Sequence, residues 1–148
     1  MVSEGTYPNR DRPRGYEKYT WLLEHFIRDV RNDLDAPDMP FVIGVLGVGG
    51  IHTDPDSFRT HFQHAMAAPA SNPEFEGTVA AVQTGKYWDH ELAALADKSD
   101  RTPEEDELVD IAVSDGGFHY LGSAKIMSGI GKGFAEAMLE LKDNTEKE

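Results

Sequence analysis

The sequence predicts an α/β fold: parallel strands with helices on both faces, and a sheet that this chain alone leaves incomplete. Three observations predict it. The apolar run Phe41–Val48 lacks the alternation of a half-exposed strand, so it should be buried on both faces, and Val79–Thr84 reads as a second short strand. A helical segment lies between them, which makes a strand–helix–strand unit with a right-handed crossover. The remaining pattern supplies about five helical segments against only two strands, and a doubly buried strand needs strand neighbours.

Taken in order, residues 1–15 carry turn chemistry and charge without apolar period and read as a loop or extended arm. From Tyr16 the pattern changes. Tyr19, Leu22, Leu23, Phe26, Ile27, Val30 and Leu34 fall at three- and four-residue steps, one stripe on a helix. Ala36-Pro37 stops it, because the residue before proline resists helical backbone. The Phe41–Val48 strand follows, and Gly49-Gly50-Ile51-His52 is the loop at its carboxyl end. Thr53-Asp54-Pro55-Asp56 then opens a helix, capped by Thr53 or Asp54, that runs to about Ala67. After Pro69–Pro73 and the second strand, a short helix is expected from Asp89 to Ala96. Thr102-Pro103-Glu104-Glu105 is a capping box for the next, which ends near Val113. The closing helix carries Ile126, Ile130, Phe134, Met138 and Leu141, and residues 142–148 read as a charged tail. Gly129, Gly131 and Gly133 are poor helix formers and suggest close approach to another backbone.

The 148 residues are one domain's worth of chain, with 39% apolar and 28% charged side chains, a globular composition. Lys and Arg number 14 against 27 Asp and Glu, a formal charge of −13. Such a chain repels phosphate backbones and anionic lipid, which argues against nucleic-acid and membrane-surface partners. No apolar stretch approaches the roughly 20 residues of a membrane helix. There is no cysteine, so disulfides, thiolate metal sites and a cysteine nucleophile are all excluded. That absence leaves the compartment open, and no signal peptide is visible at Met1–Gly5.

Gly47-x-Gly49-Gly50 fits neither G-x-G-x-x-G nor the Walker spacing, so it reads first as a tight turn. Gly49 and Gly50 still mark a candidate substrate-binding edge, because ligands of open α/β sheets sit beyond the carboxyl ends of strands. His52, Asp54, Asp56, His61 and His64 resemble a metal set only in composition. The two acids suit a helix cap and its dipole, and no metal is expected. His25 and His90 read as surface or boundary residues. Tyr87 and Trp88 directly follow the second strand, as either a core plug or a sugar-stacking wall. His119 is the strongest candidate. It lies on a glycine-rich loop before the last helix, four residues after Asp115, where it could act as general base for a serine.

Ser114-Asp115-Gly116-Gly117-Phe118-His119-Tyr120-Leu121-Gly122-Ser123-Ala124-Lys125 resembles the C-terminal histidine block of sialate O-acetylesterase-like carbohydrate esterases. These belong to the SGNH (GDSL-like) hydrolase superfamily. The resemblance extends through Phe75–Val82, the Phe41–Gly50 strand and Tyr16–Arg31, nearly all of the chain. It implies part of a flavodoxin-like three-layer α/β/α sandwich, and hydrolysis of an O-acetyl ester on a sugar by an activated serine. That serine lies in a G-[DQ]-S block, with oxyanion donors from a glycine and a G-x-N-D asparagine. None of these blocks occurs here, and Ser3, Ser57, Ser71, Ser99, Ser114, Ser123 and Ser128 all lie in the wrong context. Met1-Val2 resembles the position just after the G-x-N-D block, so the resemblance implies the C-terminal portion of one such domain. The superfamily places its acid three residues before the histidine, where Gly116 stands here. Asp115, four before, reaches the ring through the bend, or a His–Ser dyad or a carbonyl takes its place.

The expectation is therefore a carbohydrate O-acetylesterase domain with His119 as base and no cofactor, acting on an O-acetylated sugar and inactive without its serine block. The rival is a non-enzymatic α/β domain that completes its sheet by self-association through an exposed edge.

Overall fold

The computed structural model describes residues 16–145. The arm expected over residues 1–15 and the end of the charged tail, 146–148, lie outside the described residues. The elements are α1 (Glu17–Asp33), β1 (Phe41–Val45), α2 (Phe58–Ala67), β2 (Val79–Gln83), α3 (His90–Asp97), α4 (Pro103–Ala112) and α5 (Ala124–Thr145). Short 3-10 segments cover Ala68–Ser71, Pro73–Phe75, Thr84–Tyr87 and Gly117–Gly122. The fold is mixed α/β. Its two strands pair in parallel, in register from Phe41 opposite Val79 to Val45 opposite Gln83.

Alternation along β1 divides its two faces. Ile43 turns to α1, where it joins Ile27, Phe75 and Val79 in one buried cluster, with Leu23 and Phe41 packed against it. Gly44 turns the other way, to α5, and a methyl group there would press into the Phe134 ring. Helices therefore lie against both faces of the ribbon. Both strands are only partly buried, however: in β1 only Ile43 and Val45 are fully covered. Each strand has one edge without a strand neighbour among the described residues.

A second cluster gathers Leu92 of α3, Leu121 of the 3-10 segment Gly117–Gly122 and Ile126 of α5, with Tyr87, Trp88 and Val113 around it. Polar contacts supplement the packing at the first cluster. Arg31 is buried at the end of α1, stacked 5.5 Å from the Phe75 ring centroid. Its guanidinium donates to Met39 O at 2.8 Å and Thr78 O at 3.3 Å, the carbonyls that lead into β1 and β2. Charge-assisted bonds of this kind keep the buried cation satisfied and fix how both strands enter the ribbon.

The element boundaries follow local chemistry, with four corrections. β1 stops at Val45 rather than Val48, because Leu46–Val48 leave the ladder for the strand-end loop. α2 starts at Phe58 under a Ser57 cap, whose hydroxyl accepts the Arg59 N–H at 3.2 Å. Asp54 instead closes the preceding turn by accepting the Asp56 N–H at 3.0 Å. Residues Lys142 to Thr145 continue α5 instead of leaving it as a tail. Close approach at Gly129 and Gly133 is to the Tyr87 side chain and not to a backbone, and Gly131 faces open space. The Thr102–Glu105 capping box forms as expected, with Glu105 Oε2 accepting the Thr102 N–H at 2.8 Å.

Candidate active site

The loop between α4 and α5 carries His119, and it closes on itself. The N–H groups of Ser114 and Asp115 both donate to Leu121 O, at 2.9 and 3.2 Å. The N–H groups of His119 and Leu121 both donate to Gly116 O, at 3.0 and 3.1 Å. To make that turn, Tyr120 and Leu121 take left-handed backbone (φ 56° and 61°), followed by Gly122 at 56°. Left-handed backbone costs a side-chain-bearing residue about 1–2 kcal/mol, so two in succession persist only where the surroundings over-determine them. Burial of Leu121 in the second cluster is one such constraint.

His119 and Asp115 meet within this loop. Nδ1 of His119 lies 2.9 Å from Asp115 Oδ2, while Asp115 Oδ1 accepts the Gly116 N–H at 2.7 Å. The Gly116 N–H first, and the His119 ring second, hold the Asp115 carboxyl below the ordinary carboxylate range. An ionised carboxylate only accepts, so it fixes the proton of a neutral His119 on Nδ1 and leaves the Nε2 lone pair free. That is the tautomer a general base needs. The side chains are 61% and 53% exposed, so the pair orients the ring and adds little to stability. The extra residue between acid and base is absorbed by the bend at Gly116.

Tyr120 ties the loop to the carboxyl ends of both strands. Its hydroxyl lies 2.8 Å from Gly47 N and 2.6 Å from Thr84 Oγ1, and Thr84 in turn donates to Val45 O at 2.6 Å. Gly47 and Gly85, just past β1 and β2, touch backbone to backbone with no room for a Cβ at either. Gln63 of α2 is buried and holds the other side of the loop after β1. It donates to Leu46 O at 2.9 Å and accepts the His52 N–H at 3.2 Å.

Beside the histidine loop, Leu46, Val48, Phe58, Phe62 and Phe118 line an apolar cavity of about 240 Å³, with His52 and Arg59 at its wall. The Phe118 ring also stands edge-on to His119, 4.4 Å between centroids. The other site candidates share the strand-end edge but turn to packing. A Cβ on Gly50 would meet the His90 ring, and one on Gly49 would approach Arg59 and His52. Tyr87 lies across Gly129 and Gly133 of α5, and Trp88 stands edge-on to Tyr120 at 6.2 Å. His52 donates through Nε2 to Val48 O at 3.2 Å, and no group of three potential metal-ligating side chains occurs among the described residues.

Sequence reasoning missed Tyr120, Thr84 and Gln63. Tyr120 stands next to His119 in the sequence with no signal of its own. A buried Gln on an amphipathic helix and a Thr at a strand end gave visible but unspecific signals.

Comparison of the chain with protein-family models, with curated proteins and with solved structures finds no match.

Proposed function

We propose that this chain is the C-terminal portion of an SGNH-type carbohydrate O-acetylesterase domain, part of a flavodoxin-like α/β/α sandwich, and that it supplies the catalytic base. The observation that carries the reading is the His119–Asp115 pair at 2.9 Å on the loop anchored to the strand carboxyl ends. In this reading His119 Nε2 takes the proton of a serine hydroxyl as its oxygen attacks the acetyl carbonyl of a sugar ester. The proton then passes to the departing sugar oxygen, and a water repeats the cycle to release acetate. Asp115 keeps the ring in the required tautomer throughout. The serine and the oxyanion donors belong to a segment with G-[DQ]-S and G-x-N-D blocks. No described serine bonds His119: Ser57 caps α2, Ser114 donates to Gly122 O, and Ser128 donates to Lys125 O.

The test is to extend the reading frame upstream of Met1 and assay both chains with p-nitrophenyl acetate. The expected result is saturable turnover by the extended chain only, abolished by His119→Ala. An upstream frame without a G-[DQ]-S block, or an extended chain indifferent to His119→Ala, overturns the reading. It would favour instead a non-enzymatic α/β domain that completes its sheet by self-association, a reading the unpaired strand edges support.

A further inference from the structure

We infer that Tyr120 is a positioning residue whose hydroxyl, locked between Gly47 and Thr84, sets the place and the tautomer of His119. The hydrogen-bond chain has only one proton order. Val45 O can only accept, so the Thr84 hydroxyl spends its proton there, at 2.6 Å. Thr84 Oγ1 then has only lone pairs to offer Tyr120, so the Tyr120 hydroxyl donates to it at 2.6 Å. The Gly47 N–H completes the chain by donating to Tyr120 Oη at 2.8 Å. Thr84 is buried, so its bond to Val45 O forms away from water, while the two bonds of the Tyr120 hydroxyl are part-buried.

The chain joins three backbones: the end of β1 at Val45 and Gly47, the end of β2 at Thr84, and the histidine loop. Tyr120 sends its side chain down to the strand ends from a left-handed backbone (φ 56°), while the neighbouring His119 ring stays open to solvent. One peptide bond separates the anchored residue from the base. Without the hydroxyl, the 116–121 turn loses its hydrogen bonds to the strand ends, and only the turn's own backbone bonds and the burial of Leu121 still hold the left-handed pair. The Asp115–His119 contact, which depends on both ends of that turn, loosens with it.

This inference rests on the esterase reading only for what His119 does once it is placed; the anchoring itself is read without activity. The experiment compares Tyr120→Phe and Thr84→Val with the unaltered chain, by ring ¹⁵N shifts of His119 at a pH where the imidazole is neutral and by amide exchange. The expected result is a dominant Nδ1–H tautomer in the unaltered chain and a shift toward Nε2–H in both variants. Exchange of the His119 and Leu121 amides should quicken about tenfold, with Ile27 unchanged. Thr84→Val leaves Tyr120 itself and its Gly47 bond in place while removing the Thr84 partner, so it answers the question if Tyr120→Phe fails to fold. An unchanged tautomer and unchanged loop exchange in a folded variant, even with a lower melting temperature, would make Tyr120 a packing residue and overturn the inference. Failure of the esterase reading would show separately, as an inactive extended chain whose tautomer still responds to Tyr120→Phe.

Discussion

The histidine loop and the apolar flanks of β1 are opposite solutions to the same problem of an open sheet. Loop 114–122 is short, glycine-rich and exposed, yet every turn of it is tied: two N–H groups on Leu121 O, two on Gly116 O, and Tyr120 on both strand ends. The flanks are regular helix, yet under-covered. Trp21, Leu22 and Phe26 of α1 are 41–53% exposed, as are, to 36–62%, Met127, Phe134, Met138 and Leu139 of α5. Phe26 leans on Phe41 and Phe134 on Gly44, so both apolar rows border β1. Irregular backbone is here the more fully specified region. Order in this chain follows the satisfaction of polar groups and close packing, and helical geometry alone does not supply it.

The sharpest way to break the contrast is Gly122→Ala. Its φ of 56° and the Ser114 hydroxyl occupying the Cβ position leave no room for a side chain. The left-handed cost alone is about 1–2 kcal/mol, and displacement of Ser114 adds to it. Gly117→Ala, five residues away, has open space and no left-handed backbone. It should be neutral or stabilise by about 0.4–1 kcal/mol through the unfolded chain. Urea melts of the two variants check this. Equal effects would show that the loop is looser than its bonds suggest.

On the flanks the sign of the contrast reverses. Leu139→Gln and Met138→Gln remove exposed apolar surface and should change stability by less than about 0.5 kcal/mol. They should, however, reduce binding of a hydrophobic dye and any self-association by sedimentation, because Met138 shares one side of α5 with the exposed Met127 and Phe134, and Leu139 is the most exposed apolar side chain of that helix. Undiminished dye binding and an unchanged sedimentation profile would move the sticky surface elsewhere, with the β1 edge itself the next region to probe.

Much of this contrast was legible in the sequence, and its gaps have physical causes. The α1 stripe, the parallel strand pair and the Thr102–Glu105 box follow from period and capping, whereas reach alone leaves Asp115 as one of three ways to orient the His119 ring, and the 2.9 Å contact comes from the bend at Gly116. The first strand reads as buried on both faces because Phe41–Val48 is apolar without alternation, but burial depends on neighbouring strands that a local window cannot count. Helix α2 slipped to a Ser57 cap because Asp54, an equally good cap, is taken by its own turn at Asp56. Tyr120 escaped notice because its role depends on Gly47 and Thr84, 73 and 36 residues away in the chain. Periodicity and capping rules carry no information at that range.

The smallest expected effect is confined to the loop and depends on acid. Asp115 is ionised more readily in the folded loop than its ordinary value of 3.8, chiefly because it accepts the Gly116 N–H. A carboxyl whose folded pKa is depressed stabilises the fold at pH values above its unfolded one. That contribution falls away as the pH drops through the unfolded value and then the folded one. The Asp115 side chain is about half exposed, so the consequence is local opening and not global unfolding. Between neutral pH and the ordinary carboxylate range the Gly116 amide signal should stay fixed. Below that range it should move, with a midpoint under 3.8, as protonated Asp115 releases the N–H. Asp115→Asn has no proton to take up, so its Gly116 signal should not titrate, and α5 amides near Leu139 should stay still in both chains. A midpoint at or above the ordinary value would mean that the Gly116 bond does not hold in solution. The bend would then fail to bring acid and base together, and the loop would be no better defined than the flanks.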